Sequence, residues 1–217
     1  MKIFLDTANI DEIREIKSYG ILDGVTTNPS LIAKENKDFK GTIKEICDIV
    51  RGPVSAEVIA TDAQGMIKEA EELVKISEHV VVKIPCILEG LKATSYLKSK
   101  NIAVNMTLVF SVNQALLACK SGARYISPFV GRLDDIGAKG VQLAIQCQEM
   151  VDMYGFETEV IAASIRHPEH VVTCIESGID IGTIPHKTVM QMIKHPLTDI
   201  GLANFLSDWE KVSKKQS

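Results

Sequence analysis

Short apolar or β-branched runs alternate with longer amphipathic stretches along the whole chain. The runs are Lys2 to Asp6, Gly24 to Thr27, Val54 to Val58, Val80 to Ile84, Ala103 to Leu108, Tyr125 to Phe129, Glu159 to Ala163 and Ile179 to Thr183. Each has the length and the β-branched content of a strand. Their first residues lie 22, 30, 26, 23, 22, 34 and 20 positions apart, room for one strand, one helix and two short loops. Eight such units in 217 residues predict an α/β chain folded as a single (β/α)8 TIM barrel. An open doubly wound sheet shares the alternation and stands as the alternative architecture, with the count of eight favouring closure.

The connecting stretches read as helices. Asn9 followed by Glu12 opens the stripe Ile13, Ile16 as a capping pattern. Asp62 to Glu78, Ser111 to Ser121 and Asp134 to Met153 carry similar stripes, and Gly122 and Gly155 fall where helices stop. After the eighth unit an extra helix, Thr198 to Val212, gathers Leu202, Phe205, Leu206, Trp209 and Val212 on one side. That stripe needs a surface to cover. No repeat, low-complexity tract or Pro/Gly/Ser-rich linker divides the chain. The expected organisation is a barrel over residues 1–197 and a C-terminal helix over 198–213, with only Lys214 to Ser217 looking loose.

Composition narrows the class further. The chain is 46% hydrophobic and 24% charged, with 24 Lys+Arg against 28 Asp+Glu for a net charge of −4, which argues against disordered, collagen-like and coiled-coil readings. The mild acidity and scattered basic residues argue against nucleic acid as the main partner. Cys47, Cys86, Cys119, Cys147 and Cys174 are odd in number and form no CxxC pair, as expected for a reducing, cytoplasmic setting. No apolar run approaches the roughly 18 residues of a membrane span. GxGxxG, Walker A, HExxH and GxSxG motifs are absent. His167 and His170 are spaced i, i+3, but with no third inward ligand they are expected on a helix surface, and neither metal nor cofactor is expected.

The chemistry lies where strands end. In a barrel one parity of each strand points inward and the active site gathers at the carboxyl ends. Asp6 shares parity with Phe4, Glu57 with Ser55, Lys83 with Val81, Thr107 with Asn105, Ser127 with Phe129, and Ser164 with Ala162 and Arg166. Charged groups in such apolar runs are costly unless paired or used. Lys83 in VVVKIP would be surrounded by Val81, Val82, Ile84 and Pro85, which lowers an amine's pKa and readies it to attack a ketone. The plain alternative is a lysine that snorkels its ammonium into water.

Each of the other positions also has a structural alternative. Asp6 could be a turn carboxylate, although Asn9 already serves as the cap and leaves Asp6 free for proton transfer. Glu57 could pair with Lys83 or an arginine, and Asn105 and Thr107 could satisfy buried backbone groups. Thr26 and Asn28 in GVTTNPS are substrate-binding candidates, Asn28 being pushed to an extended conformation by Pro29. An Asn-Pro turn ahead of a helix capped by Ser30 is its structural reading. Arg132 and Arg166 follow the sixth and seventh strands, and two guanidiniums on one rim suit a phosphate or carboxylate.

At this point FLDTANIDEI, GVTTNPSLIAKE, SAEVIAT, VVKIP, NMTLVFS, SPFVGRLDDIG, AASIRHPEHV and KHPLTDIGLANFLSDW, running from residue 3 to residue 209, resemble the short transaldolases, close kin of fructose 6-phosphate aldolase among the class I aldolases. The resemblance implies the β/α barrel, Lys83 as Schiff-base lysine, and Asp6 as the acid/base for carbon–carbon cleavage. Glu57 and Thr107 would position a water, Asn28 and Ser164 would hold the ketose, Ser127 and Phe129 would line the dihydroxyacetone pocket, and Arg132 and Arg166 would bind phosphate. It further implies ping-pong transfer of a dihydroxyacetone unit between phosphorylated sugars, and a C-terminal helix packed on a neighbouring subunit in a ring-shaped homo-oligomer, commonly a decamer of two pentamers. Packing on its own barrel is the alternative for that helix. Relatives that release free dihydroxyacetone carry Tyr and Gln where this chain has Phe129 and Glu57, so transaldolase is expected ahead of aldolase. A barrel that binds sugar phosphates without turning them over is the reading from another class.

Overall fold

In the computed structural model, which describes residues 1–35 and 38–213, eight parallel strands close in chain order. They are β1 (Lys2–Asp6), β2 (Gly24–Thr26), β3 (Val54–Glu57), β4 (Val80–Pro85), β5 (Val104–Val109), β6 (Tyr125–Pro128), β7 (Glu159–Ala162) and β8 (Ile181–Ile184). Closure comes from β1 pairing with β8, Phe4 opposite Thr183. The open-sheet alternative is thereby excluded. The last strand begins at Ile181 and not at the expected Ile179, because Gly178 (φ 70°) and the bond from Ile179 N–H to Cys174 O complete the preceding turn. The loose tail expected at Lys214 to Ser217 lies outside the described residues.

Between and after the strands lie α1 (Ile10–Ser18), α2 (Pro29–Lys34), α3 (Phe39–Val50), α4 (Ala63–Leu73), α5 (Leu88–Ser99), α6 (Val112–Ser121), α7 (Val130–Asp134), α8 (Gly140–Tyr154), α9 (Pro168–Glu176), α10 (His186–Met192) and α11 (Pro196–Ser213). Asn9 does cap α1, its Oδ1 accepting from the N–H groups of Asp11 and Glu12. Glu12 does not return to the cap; it accepts from the Thr7 hydroxyl at 2.6 Å, and Thr7 accepts the Asn9 N–H. The stretch read as one helix from Asp62 to Glu78 stops at Leu73, where Ile76 N–H turns back to Leu73 O. The stretch from Asp134 to Met153 is likewise divided. Asp134 ends α7 and its Oδ1 accepts the N–H of Gly140, which starts α8. A Cβ on Gly140 would sit 2.0 Å from Val130 O, so this close turn requires glycine.

Two apolar layers follow from strand alternation. Leu5, Val82, Ile84, Met106, Ile126 and Ala162 face outward and pack under the helices. Phe4, Val81, Tyr125, Ile161 and Ile181 fill the barrel toward its amino ends, with Phe4 and Tyr125 edge to face at 6.4 Å. This plug closes the barrel interior below the carboxyl ends of the strands. The five cysteines are unpaired.

The C-terminal helix does not settle on its own barrel. No residue from Pro196 to Val212 is buried, and Leu197, Ile200, Leu202, Phe205, Leu206 and Trp209 are 55% to 75% exposed. Among the described residues no helix is long and apolar enough to cross a membrane.

Candidate active site

Above the apolar plug the inward positions turn polar, and their groups satisfy one another. Ser127 donates to Asn105 Oδ1 at 2.7 Å, and Asn105 Nδ2 donates to Ser55 Oγ at 3.1 Å. On the other side Thr26 donates to Asp6 Oδ1 at 2.9 Å and lies 2.6 Å from Thr183 Oγ1, which then supplies the proton of that bond. Asn105 thus satisfies side-chain hydroxyls and not the backbone groups it was read against. A fully paired buried layer of this kind makes a rigid floor.

Lys83 rises from that floor. Register pairs it with Glu57 across β3 and β4, and its Nζ lies 3.2 Å from Glu57 Oε2 and donates to Thr27 O at 3.1 Å. The residue is 5% exposed, so it does not snorkel into water. The expected enclosure of the amine by its sequence neighbours is not found: Val82 and Ile84 face the helices and Val81 sits one layer below, so oxygen atoms meet the amine. Asp6, half-buried across the barrel, has its carboxyl pushed up by burial; attraction from Lys83 and the Thr26 hydrogen bond pull it down less, and Glu57 adds to the rise. Thr107 Oγ1 is buried with no hydrogen-bond partner among the described residues.

The rim is built by the loops after the strands. Asn28 (φ −151°, ψ 165°) is extended as Pro29 requires, and its Oδ1 caps α2 through Leu31 N–H at 3.0 Å. Ser30 is therefore inside the helix and not its cap. Ser164 enters by a route other than the one expected. In β7 the inward residue is Ile161, so strand parity turns Ala162 outward, and Ser164 reaches the cleft through a left-handed backbone, φ 58°. Phe129 packs edge to face on Phe110 at 5.5 Å, and the Arg132 guanidinium lies 5.1 Å from the Phe129 ring. Arg166 donates to Asp135 Oδ2 at 2.8 Å and crosses Gly131, where a Cβ would stand 2.5 Å from its Nε.

All eleven candidates, Asp6, Thr26, Asn28, Glu57, Lys83, Thr107, Ser127, Phe129, Arg132, Ser164 and Arg166, line one cleft of about 530 Å³. A larger hollow of about 660 Å³ lies at the amino ends of the strands around Lys2, Glu159 and Asp180. Its carboxylates are already engaged, Glu159 by Lys2 and Arg124 and Asp180 by Val160 N–H, which marks a structural face. Among the described residues no group of three or more His, Cys, Asp or Glu side chains is placed to hold a metal ion.

The family described as Transaldolase/Fructose-6-phosphate aldolase matches residues 3–216. The chain belongs to this family. It is 60% identical over 210 residues to a "Probable transaldolase" of Methanococcus maripaludis strain C5, covering 97% of this chain and 98% of that one. It is 59% identical over 216 residues to a "Probable transaldolase" of Caldicellulosiruptor saccharolyticus, covering 99% and 100%. Among solved structures, a thiamine phosphate pyrophosphorylase from Pyrococcus furiosus superposes with a TM-score of 0.59 at 13% identity, over 88% of this chain and 93% of that one, a likeness of fold alone.

The cleft of this transaldolase-family chain also holds residues that its sequence does not single out. Thr183 sits on β8 and looks like one more β-branched strand residue until closure brings it beside Thr26. Lys34 ends α2 and lines the cleft; its signal was its spacing, four residues after Ser30 and thus on the same helix face. His170, expected on a surface, is 8% exposed. Its Nε2 lies 3.1 Å from Asp134 Oδ2, and its ring lies against that of His167 with centroids 3.8 Å apart and planes tilted by 43°. The position is buried because α9 turns it toward α7 and not toward solvent.

Proposed function

We propose that the chain is a transaldolase of the non-oxidative pentose phosphate pathway. It moves a dihydroxyacetone unit from sedoheptulose 7-phosphate or fructose 6-phosphate to glyceraldehyde 3-phosphate or erythrose 4-phosphate. The observation that carries the reading is the buried Lys83 amine facing Glu57 in a cleft that also holds Asp6 and is rimmed by Arg132 and Arg166. In the proposed cycle the Lys83 amine, after losing a proton, adds to the ketose C2 carbonyl and water leaves, forming an iminium. Asp6 takes the C4 hydroxyl proton, the C3–C4 bond breaks, and its electron pair flows to the iminium nitrogen as an aldose phosphate departs. The retained enamine attacks the aldehyde carbon of the acceptor, and Asp6 returns the proton to the new hydroxyl. Water positioned by Glu57 and by the unpartnered Thr107 hydroxyl then hydrolyses the new iminium and frees Lys83.

Phe129 supports transfer over simple cleavage. Its ring is packed on Phe110 and has no proton to give, so the enamine persists until an aldehyde arrives. Glyceraldehyde 3-phosphate release from fructose 6-phosphate is expected to require erythrose 4-phosphate, with at most a stoichiometric burst without it. Sustained release without acceptor would make the chain an aldolase. Because a placed general acid is worth about 10²-fold or more, Phe129→Tyr is expected to raise acceptor-independent cleavage by about tenfold; an unchanged rate would remove Phe129 from the account.

We infer also that α11 covers a second copy of this chain, since its apolar residues lie exposed on their own barrel. Light scattering is expected to show a homo-oligomer, ten copies on the family pattern. Truncation before Thr198 is expected to dissociate it, and an assembly that survived truncation would refute the exchange. The unpaired cysteines support a cytoplasmic setting.

A further inference from the structure

We propose that His170 is a positioning residue that joins the two arginine-bearing segments of the cleft and sets Arg166 for the phosphate of the substrate; the inference rests on the proposed function. The geometry is a two-ended clamp. His170 Nδ1 accepts the backbone N–H of Arg166 at 3.4 Å, while Nε2 lies 3.1 Å from Asp134 Oδ2 at the end of α7, the helix that carries Arg132. An imidazole that accepts through Nδ1 carries its proton on Nε2, and that proton is the one donated to Asp134. Burial and the neighbouring His167 hold the His170 pKa below the ordinary histidine value, against the pull of Asp134, which keeps the ring in this neutral, one-donor, one-acceptor form. Only that form makes both bonds.

The surrounding bonds show why the ring governs the arginine. The Arg166 carbonyl accepts from Thr188 Oγ1 at 3.4 Å, and the Arg166 guanidinium is held by Asp135 one residue beyond α7. Gly131 in α7 donates its N–H to Ser164 O at 2.9 Å. Ser164 and Arg166 are thus tied to α7 at several points, and His170 supplies the tie to the Arg166 main chain. A buried ring in the first turn of α9 sets the spacing of two guanidiniums without touching the substrate.

The test uses full-length His170→Ala, His170→Asn and His170→Gln with Arg166→Ala as control, reading KM and kcat for fructose 6-phosphate and borohydride trapping of unphosphorylated dihydroxyacetone on Lys83. Loss of a hydrogen bond of this kind is worth on the order of a tenfold change. His170→Ala is expected to raise KM for fructose 6-phosphate by about that factor, with kcat and dihydroxyacetone trapping little changed. Asn keeps an acceptor near the Nδ1 position and is expected to recover most of the KM, whereas Gln, with its amide nearer Nε2, is expected to recover less. An unchanged KM in His170→Ala overturns the proposal. So does a parallel fall in trapping and melting temperature shared by all three variants, which would make His170 a stability residue only. If Arg166→Ala itself leaves KM unchanged, the phosphate role of the rim fails first and the inference falls with it.

Discussion

Replacing Lys83 by arginine is expected to abolish acceptor-dependent turnover, lowering it by about 10⁴-fold or more, because removing a covalent nucleophile leaves only binding and positioning. Arginine preserves a positive charge opposite Glu57, 3.2 Å away, but its guanidinium stays protonated and forms no imine. Methionine has about the right length and no charge, yet it strands a carboxylate in a largely buried site, a loss that costs about 3–5 kcal/mol when the remaining charge is fully buried. Glu57 keeps a 16% exposed side chain, so the penalty for Lys83→Met is expected below that range, and Arg is the cleaner test of chemistry. Borohydride with fructose 6-phosphate is expected to add a covalent mass to the wild-type chain at Lys83 and none to Lys83→Arg. A label elsewhere, or turnover by Lys83→Arg, refutes the Schiff base; no label on the wild type leaves a barrel that only binds sugar phosphates.

The strand pattern is legible because the strands are apolar-rich runs, most of them carrying an inward polar residue near the carboxyl end. Asp6, Glu57, Lys83 and Thr107 were readable for that reason, since a charge or hydroxyl stands out against valines and isoleucines. What stayed hidden depended on backbone conformation or on contacts far apart in sequence. The φ of 58° at Ser164 breaks the alternation on which parity rests, so strand parity does not account for its place in the cleft. Thr183 gains meaning only when β8 closes on β1. The amphipathic stripe from Asp134 to Met153 concealed a break that the Gly140 contact with Val130 requires. Local spacing likewise places His170 on a surface, while its partners, Asp134 and the Arg166 N–H, belong to other segments. The stripe on α11 was visible, but a stripe specifies burial and not the molecule that provides it.

Asp6→Asn is expected to lower turnover by about 10²- to 10⁴-fold, the usual worth of a placed acid/base, and at the same time to stabilise the fold at neutral pH. Burial raises the Asp6 pKa in the folded chain, and this outweighs the attraction of Lys83 and the Thr26 hydrogen bond. A carboxyl with a raised folded pKa binds its proton more tightly folded than unfolded, so its favourable contribution is complete at pH below its unfolded value and is lost as pH rises through the folded value. Above that range the ionised group works against folding. Asparagine has no charge to desolvate and keeps an oxygen for the Thr26 hydroxyl, which stands 2.9 Å from Asp6 Oδ1. The gain is expected at about 1 kcal/mol, as for other active-site groups that trade stability for function, and it should shrink as pH falls below the aspartate range because both side chains are then neutral. Thermal melts across pH check the sign, and a wild type more stable than Asp6→Asn at neutral pH would refute it. In the proposed cycle imine formation precedes carbon–carbon cleavage, so Asp6→Asn is expected to retain borohydride labelling of Lys83 with dihydroxyacetone while failing to release aldose from fructose 6-phosphate. Loss of both would place Asp6 in imine formation as well and take away its separate role in breaking the C3–C4 bond.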